Sequence, residues 1–307
     1  MGSMSIPIMN FKNKNILVIG DSIIDETIIG EAVGVSLESP TLKLKEVERS
    51  VSLGGAANVV ENILALGASC RFLTPLGNDS YKRYFTEWKK SSDKFWFSPL
   101  LVDTDNNVKT RIWSTKGEER YKYLQINKTS STPYSHRIPT IEHHMKNIDS
   151  VVLVDYGLGM FGEVDYIIET AHTYGIPVIS SSQMSDRKNR YLLFENSDYM
   201  CMNKEESEGY GKSFVGCTTL GAEGCSFSDF NTEISHAGYK AKCVDPCGAG
   251  DAFLAAFSLC IVSHLSIIEA LAFCNAWAAL STTNIGTRTP NMGDLNEFLS
   301  KNHGGTK

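Results

Sequence analysis

Val244-Asp245-Pro246-Cys247-Gly248-Ala249-Gly250-Asp251, followed by Ala252-Phe253-Leu254-Ala255-Ala256-Phe257-Ser258-Leu259-Cys260-Ile261-Val262, is the stretch from which the rest of the chain is read. The second part holds no Gly or Pro and predicts a buried helix. Gly248-Ala249-Gly250 is small enough for the backbone to turn sharply and lie close to a ligand. A helix start carries unpaired N–H groups and the positive end of the dipole. The amides behind these three residues can therefore cradle an anion. A carboxylate beside that cradle would repel a phosphate. It makes sense if Asp251 accepts the proton of a hydroxyl that attacks the phosphate. The competing reading makes Asp251 only a helix N-cap, a role that Asp favours.

Working outward, 307 residues allow one large domain or two modest ones, and 42% apolar residues support a full core. A net charge of −6, with no basic stretch, argues against nucleic acid as a partner. No run of 18 apolar residues signals a membrane span. Residues 1–10 read as a tag remnant, Met1-Gly2-Ser3-Met4, and a tail, with no signal peptide, and 11–303 as one domain. The eight cysteines form no Cys-x-x-Cys pair and mostly sit in apolar runs. They read as reduced core residues of a cytoplasmic protein, not as a disulfide frame or zinc site.

Asn15-Ile16-Leu17-Val18-Ile19-Gly20 predicts a buried strand with Asp21 and Asp25 just beyond it, where α/β sheets place ligands. Further strands are expected at 71–74, 151–155, 176–180, 199–202 and 216–220. Helices are expected from Gly54-Gly55-Ala56-Ala57-Asn58 to Leu66, at 80–90, at 163–174 and at 265–283. The alternation of strand and helix predicts an α/β fold, a doubly wound and mostly parallel sheet flanked by helices. Two blocks, 27–52 and 108–125, instead alternate apolar with polar residues, the latter turning at Gly117-Glu118. They predict a small antiparallel β lid that covers the site, a dimer contact, or both. Gly54 and Gly55 admit a close ligand, and Asn58 can offer an amide to a sugar hydroxyl; a plain turn is the simpler reading of a lone Gly-Gly.

The order Gly20-Asp21…Asp25, Gly54-Gly55-Ala56-Ala57-Asn58, Asn203…Glu206, Thr219-Leu220-Gly221…Gly224 and Asp245…Gly248-Ala249-Gly250-Asp251 resembles the ribokinase-like (PfkB) sugar kinases over nearly the whole chain. Within them, Gly20-Asp21-Ser22-Ile23-Ile24-Asp25-Glu26, Ser36-Leu37-Glu38-Ser39-Pro40, Asp155-Tyr156-Gly157-Leu158-Gly159 and Lys109-Thr110-Arg111 are similar to the kinase part of bacterial heptose-phosphate kinases. Those enzymes phosphorylate the anomeric hydroxyl of a heptose 7-phosphate. Their bifunctional members carry a following adenylyltransferase domain, for which the chain as given leaves no room. Three departures stand out. Leu158 and Gln183 replace lysines usual in that subfamily, and Cys247 replaces the usual Thr.

The resemblance implies a kinase that uses ATP and Mg²⁺, with a monovalent cation as a further candidate. Asp251 would be the base and Gly248, Ala249 and Gly250 the anion hole. Glu206 with Asn203 would hold Mg²⁺, through waters. Asp25, Asn58, Gly54 and Gly55, with Asp21, would grip the sugar, and Lys109 and Arg111 its phosphate. Thr219, Gly221, Gly224 and Asn275 would line the nucleotide side. The expected partners are a sugar or sugar phosphate and ATP, with a second copy joined through the lid. A Rossmann dehydrogenase is disfavoured because no Gly-x-Gly-x-x-Gly follows the first strand, and no Walker motif is present. A non-catalytic sugar sensor on the kinase fold is the remaining alternative.

Overall fold

The computed structural model describes residues 9–88, 92–116, 119–130, 138, 140–162, 164–185 and 188–303. The chain opens with β1 (Asn15–Gly20), β2 (Ser22–Val35), β3 (Leu42–Gly55), α1 (Ala56–Ala65), β4 (Ser69–Leu76), α2 (Lys82–Trp88) and β5 (Phe95–Leu101). It continues through β6 (Val108–Lys116), β7 (Glu119–Lys128), α3 (Ile141–His144), β8 (Ser150–Val154), α4 (Asp165–Thr173), β9 (Val178–Ser181), β10 (Met184–Ser185) and β11 (Lys188–Asn189). It closes with β12 (Tyr199–Asn203), α5 (Lys204–Tyr210), β13 (Gly216–Thr219), β14 (Gly224–Ser228), β15 (Glu233–Ala237), α6 (Ala249–Val262), α7 (Ile267–Ser281) and α8 (Met292–His303).

The main sheet has nine strands in the order β15-β14-β13-β12-β9-β8-β1-β4-β5. From β13 to β5 every pairing is parallel, and β14 and β15 add an antiparallel edge. After β1 the chain steps to β4 and β5 on one side, then returns to β8 on the other. That reversal opens a crevice at the carboxyl ends of β1 and β8, the position where such sheets bind ligands.

Strand β1 is buried on both faces, which explains its unbroken apolar run. Ile16 and Val18 pack with α1, α6 and α7, including Val59, Phe253 and Phe273. Leu17 and Ile19 point the other way, into a cluster with Phe161, Ile167, Ile168 and Phe194. Helix α6 is buried from Asp251 through Cys260, so its lack of a polar face matches its position. Truncating a core aromatic such as Phe257, which has no exposed surface, to Ala would cost about 3–5 kcal/mol.

The second sheet has the order β3-β2-β6-β7. Its two pairs, β2–β3 and β6–β7, are each antiparallel, as the alternating blocks predict, and are joined by a parallel β2–β6 pairing. The strands run longer than expected, because β2 starts at Ser22 and β3 ends at Gly55. Asp21 alone separates β1 from β2 and is therefore the joint between the two sheets. Gly117-Glu118, Glu163 and Met1-Gly2-Ser3-Met4 lie outside the described residues. The helices expected at 80–90, 163–174 and 265–283 are shorter, at Lys82–Trp88, Asp165–Thr173 and Ile267–Ser281. The last starts where Ser266 and Glu269 form a reciprocal capping box. No helix among the described residues is long and apolar enough to cross a membrane.

Candidate active site

Helix α6 begins at Gly248, whose φ of 81° belongs to the left-handed region where a side chain is strained. A Cβ there would also stand 2.6 Å from Asn58 Nδ2. Gly248 is the N-cap, so Asp251, in the first turn, is not. The Asp251 carboxylate instead accepts hydrogen bonds from Asn58 Nδ2 (2.9 Å, at Oδ2) and from the Tyr156 hydroxyl (2.7 Å, at Oδ1). Burial pushes its pKa up to about 6, opposed by those two donors. Asn58 is held in turn, since its carbonyls accept from Asn62 Nδ2, whose own Oδ1 accepts from Trp277 Nε1. This buried chain of hydrogen bonds ties α1 to α7 behind the carboxylate.

A cavity of about 250 Å³ opens in front, lined by Gly248, Gly250, Asp251, Asn203, Glu206 and Thr219 among others. A second cleft of about 210 Å³ shares Thr219 and Gly250 and extends past Gly221, Gly224, Tyr239 and Asn275. A Cβ on Gly250 would meet nothing within 4 Å, so this glycine faces open space. The Ala249 N–H donates to Pro246 O (3.2 Å), so of the three anion-hole amides expected, this one already has an acceptor. Asn275 borders the second cleft while its amide donates to the His236 and Ala237 carbonyls (3.1 and 3.2 Å).

On the lid side, Asp25 and Arg111 form a buried ion pair (Oδ1–Nη1, 2.5 Å). Arg111 Nε is buried with no hydrogen-bond partner among the described residues. Gly54 must lack a side chain, because a Cβ would stand 2.1 Å from Asp25 Oδ2. At Gly55, φ is 61° and a Cβ would stand 2.5 Å from the Asp21 carbonyl, which accepts the Ala56 N–H (2.9 Å). The Lys109 ammonium lies 5.1 Å from the centre of the Tyr156 ring. Burial pushes its pKa down, and the Asp25 and Asp251 carboxylates pull it back up.

Asp21 accepts the backbone N–H groups of Tyr156 (2.9 Å), Leu158 (3.2 Å) and Met160 (3.0 Å). Burial and the nearby Asp155 push its pKa up to about 6, against the pull of those amides. Its carboxylate is thus engaged in bracing the loop after β8. Asn203 and Glu206 form a capping box at the start of α5: Asn203 Oδ1 accepts the Glu206 N–H (2.9 Å), and Glu206 Oε2 accepts the Asn203 N–H (2.8 Å). Tyr191 OH also lies 3.1 Å from Oε2, whereas Oε1 has no hydrogen bond among the described residues. Burial raises the Glu206 pKa. No group of three or more His, Cys, Asp or Glu among the described residues could hold a metal alone. One carboxylate oxygen on a cavity fits Mg²⁺, which keeps waters and takes its other ligands from nucleotide phosphates.

Four features escaped the sequence reading. The Tyr156 hydroxyl sits on Asp251. Lys122, on β7, reaches Asp245 Oδ1 (3.1 Å) and Cys247 Sγ (3.3 Å). Asp245, fully buried, accepts the Cys247 and Gly286 N–H groups (3.2 and 3.1 Å) and so shapes the turn into α6. Arg190 holds Asp155 with two hydrogen bonds (2.6 and 2.9 Å). The position of Tyr156 at a strand's carboxyl end was the available signal.

A crevice at the strand ends, a buried carboxylate in the first turn of a helix and a four-stranded second sheet are the parts of a ribokinase-like fold. Residues 215–293, which carry the second cleft and α6, match the model for the pfkB family carbohydrate kinases. The chain is 28% identical over 314 residues to the bifunctional protein HldE of Campylobacter curvus, a match covering 94% of this chain and 65% of that protein. The chain therefore spans about two thirds of the relative's length. Among solved structures, it superposes on the phosphofructokinase-2 of Escherichia coli in complex with potassium with a TM-score of 0.74, at 18% identity, over 94% of this chain and 99% of that one. The Arabidopsis thaliana ribokinase complexed with ribose and ATP gives 0.72 at 18% identity, over 93% and 98%. These structures establish the fold. The likeness to the pfkB family supports the enzyme class that the sequence reading reached, an ATP-dependent sugar kinase.

Proposed function

We propose that this protein transfers the γ-phosphoryl group of ATP to a hydroxyl of a heptose 7-phosphate or a related sugar phosphate. The observation that carries the reading is the Asp251 carboxylate, fixed by Asn58 and Tyr156 in the first turn of α6, on the same cavity as Gly248, Gly250 and Glu206. Asp251 takes the proton of the acceptor hydroxyl. The freed electron pair forms the new O–P bond, and the bond from phosphorus to the ADP oxygen breaks. A pKa of about 6 suits this base, being high enough to accept the proton yet leaving the group mostly ionised at pH 7. The backbone N–H groups of Gly248 and Gly250 stabilise charge on the transferred phosphoryl group. Glu206 supports Mg²⁺, which when bound neutralises charge on the nucleotide phosphates. The cleft past Gly221, Gly224, Tyr239 and Asn275 takes the nucleoside.

Lys109 supports a phosphorylated acceptor, as an ammonium without an ion-pair partner among the described residues. One observation favours an unphosphorylated sugar instead: Arg111 is already committed to Asp25, and Leu158 and Gln183 bring no charge. The deciding measurement is kcat/KM for D-glycero-D-manno-heptose 7-phosphate and for the same heptose without phosphate, in wild type and Lys109→Ala. Phosphate preference lost in the variant supports the first reading. Equal rates on both sugars in the wild type would overturn it. Along the lid, Val33, Val35, Val47, Tyr123 and Ile126 are each more than half exposed. That exposure supports a homodimer joined through this sheet; a fully active monomer in light scattering would contradict it.

A further inference from the structure

We infer that Tyr156 is the positioning residue of the proton acceptor: its hydroxyl, presented by a braced loop, fixes the Asp251 carboxylate and favours its charged form. This rests on Asp251 being the base proposed above. The loop 155–160 is set by two carboxylates. Asp21 collects the N–H groups of Tyr156, Leu158 and Met160, which are alternate residues. The residues between them, Gly157 and Gly159, have φ of 68° and 106°, which turns the alternate amides toward one anion. Asp155 accepts the Gly157 N–H (3.1 Å) and is itself held by Arg190 and by the Ser182 hydroxyl (2.7 Å). The backbone of Tyr156 therefore has little freedom, and its ring is flanked by the Lys109 ammonium.

Among the described residues, the hydroxyl at the end of this arm is one of two groups that donate to Asp251, whose residue surface is 8% exposed. A buried carboxylate with two donors is oriented, and hydrogen bonds to its charged form oppose the cost of burial. Tyr156 keeps its own proton, because burial and the facing Asp251 raise its pKa well above the ordinary tyrosine value. It acts through Asp251 as a fixed donor and does not take part in proton transfer.

The test is a double-mutant cycle read by urea unfolding at pH 4.5 and pH 8, with wild type, Tyr156→Phe, Asp251→Asn and the double variant. Tyr156→Phe removes one oxygen and keeps the ring. A phenol donates more strongly to a carboxylate than to a carboxylic acid. The expected result is that Tyr156→Phe shifts the unfolding equilibrium about tenfold more at pH 8 than at pH 4.5. In the Asp251→Asn background the same substitution should cost equally at both pH values. The acid limb of kcat/KM with heptose 7-phosphate should move up by about one pH unit in Tyr156→Phe, since removing a donor raises the pKa of the base. A cost independent of pH in both backgrounds, with an unmoved acid limb, overturns the inference and leaves Tyr156 a packing residue. Turnover of Asp251→Asn is read separately: if it matches wild type, the base reading falls and the catalytic meaning of Tyr156 with it. An inactive Asp251→Asn with a flat cycle removes Tyr156 alone.

Discussion

Asp251→Asn should slow the enzyme and stabilise it. The pKa of Asp251 is raised from 3.8 to about 6, chiefly by burial. Between those values the unfolded chain ionises this group while the folded one keeps it neutral, so native stability falls as pH rises. Above pH 6 the penalty is complete and constant. A shift of about 2 units at 1.36 kcal/mol each gives a penalty of ~3 kcal/mol. The amide mimics the neutral acid at every pH. The variant should therefore match wild type near pH 4 and exceed it by up to ~3 kcal/mol at pH 8. The raised pKa of Asp21 acts in the same direction, but it is common to both proteins and cancels in the difference. Urea unfolding across pH 4–8 measures the stability, and coupled ADP release measures kcat, which should drop by roughly 10²–10⁴. A variant no more stable than wild type at pH 8 would refute the burial argument. Near-normal turnover would remove Asp251 as the base.

Glu206→Gln should raise the Mg²⁺ concentration for half-maximal rate more than it raises the sugar KM; an unchanged Mg²⁺ requirement reduces Glu206 to the capping of α5. Gly250→Ala adds a methyl group to open space, so its melting temperature should stay near wild type while the ATP KM rises; an unaffected KM means no phosphate approaches there. Gly248→Ala is the contrast, with strained backbone and a Cβ 2.6 Å from Asn58 Nδ2, and should lose ~1–3 kcal/mol of stability along with activity. Arg111→Ala leaves Asp25 buried without its cation and should cost ~3 kcal/mol; a change below 0.5 kcal/mol would show that water readily reaches Asp25.

How far the sequence could be read depended on how local each signal was. Helix α6 was legible because a run of eleven residues, all apolar but Ser258 and without Gly or Pro, has few other options. The central strands were legible because burial on both faces leaves an unbroken apolar run. The parallel pairing that joins the two halves of the lid was not, since nothing local to β2 or β6 encodes which strand lies beside it. Strands β5, β14 and β15 and helices α5 and α8 also passed unread. α5 had a local cue, because Asn203-Lys204-Glu205-Glu206 has the spacing of a capping box. That spacing serves the helix and leaves Glu206 Oε1 for another ligand, so one motif carries two meanings.

The charges near the site make the limit sharper. Read in sequence, Lys109 and Arg111 are two cations on one strand face, an apt clamp for a dianionic phosphate. Folding separates them. Arg111 meets Asp25, 86 positions away, and the pair is buried with little net charge to offer. Lys122, not singled out in the sequence, is likewise drawn to Asp245, 123 positions away, and ties the lid to the turn before α6. Lys109 and Asp251 form no ion pair among the described residues: the ammonium lies 5.1 Å from the centre of the Tyr156 ring, whose hydroxyl donates to Asp251. If the two did pair directly, the carboxylate would become a weaker proton acceptor, because a neighbouring cation favours its charged form. The tyrosine thus touches both the ammonium and the carboxylate that the proposed reaction would use, an arrangement that depends on three distant segments and is visible in none of them alone.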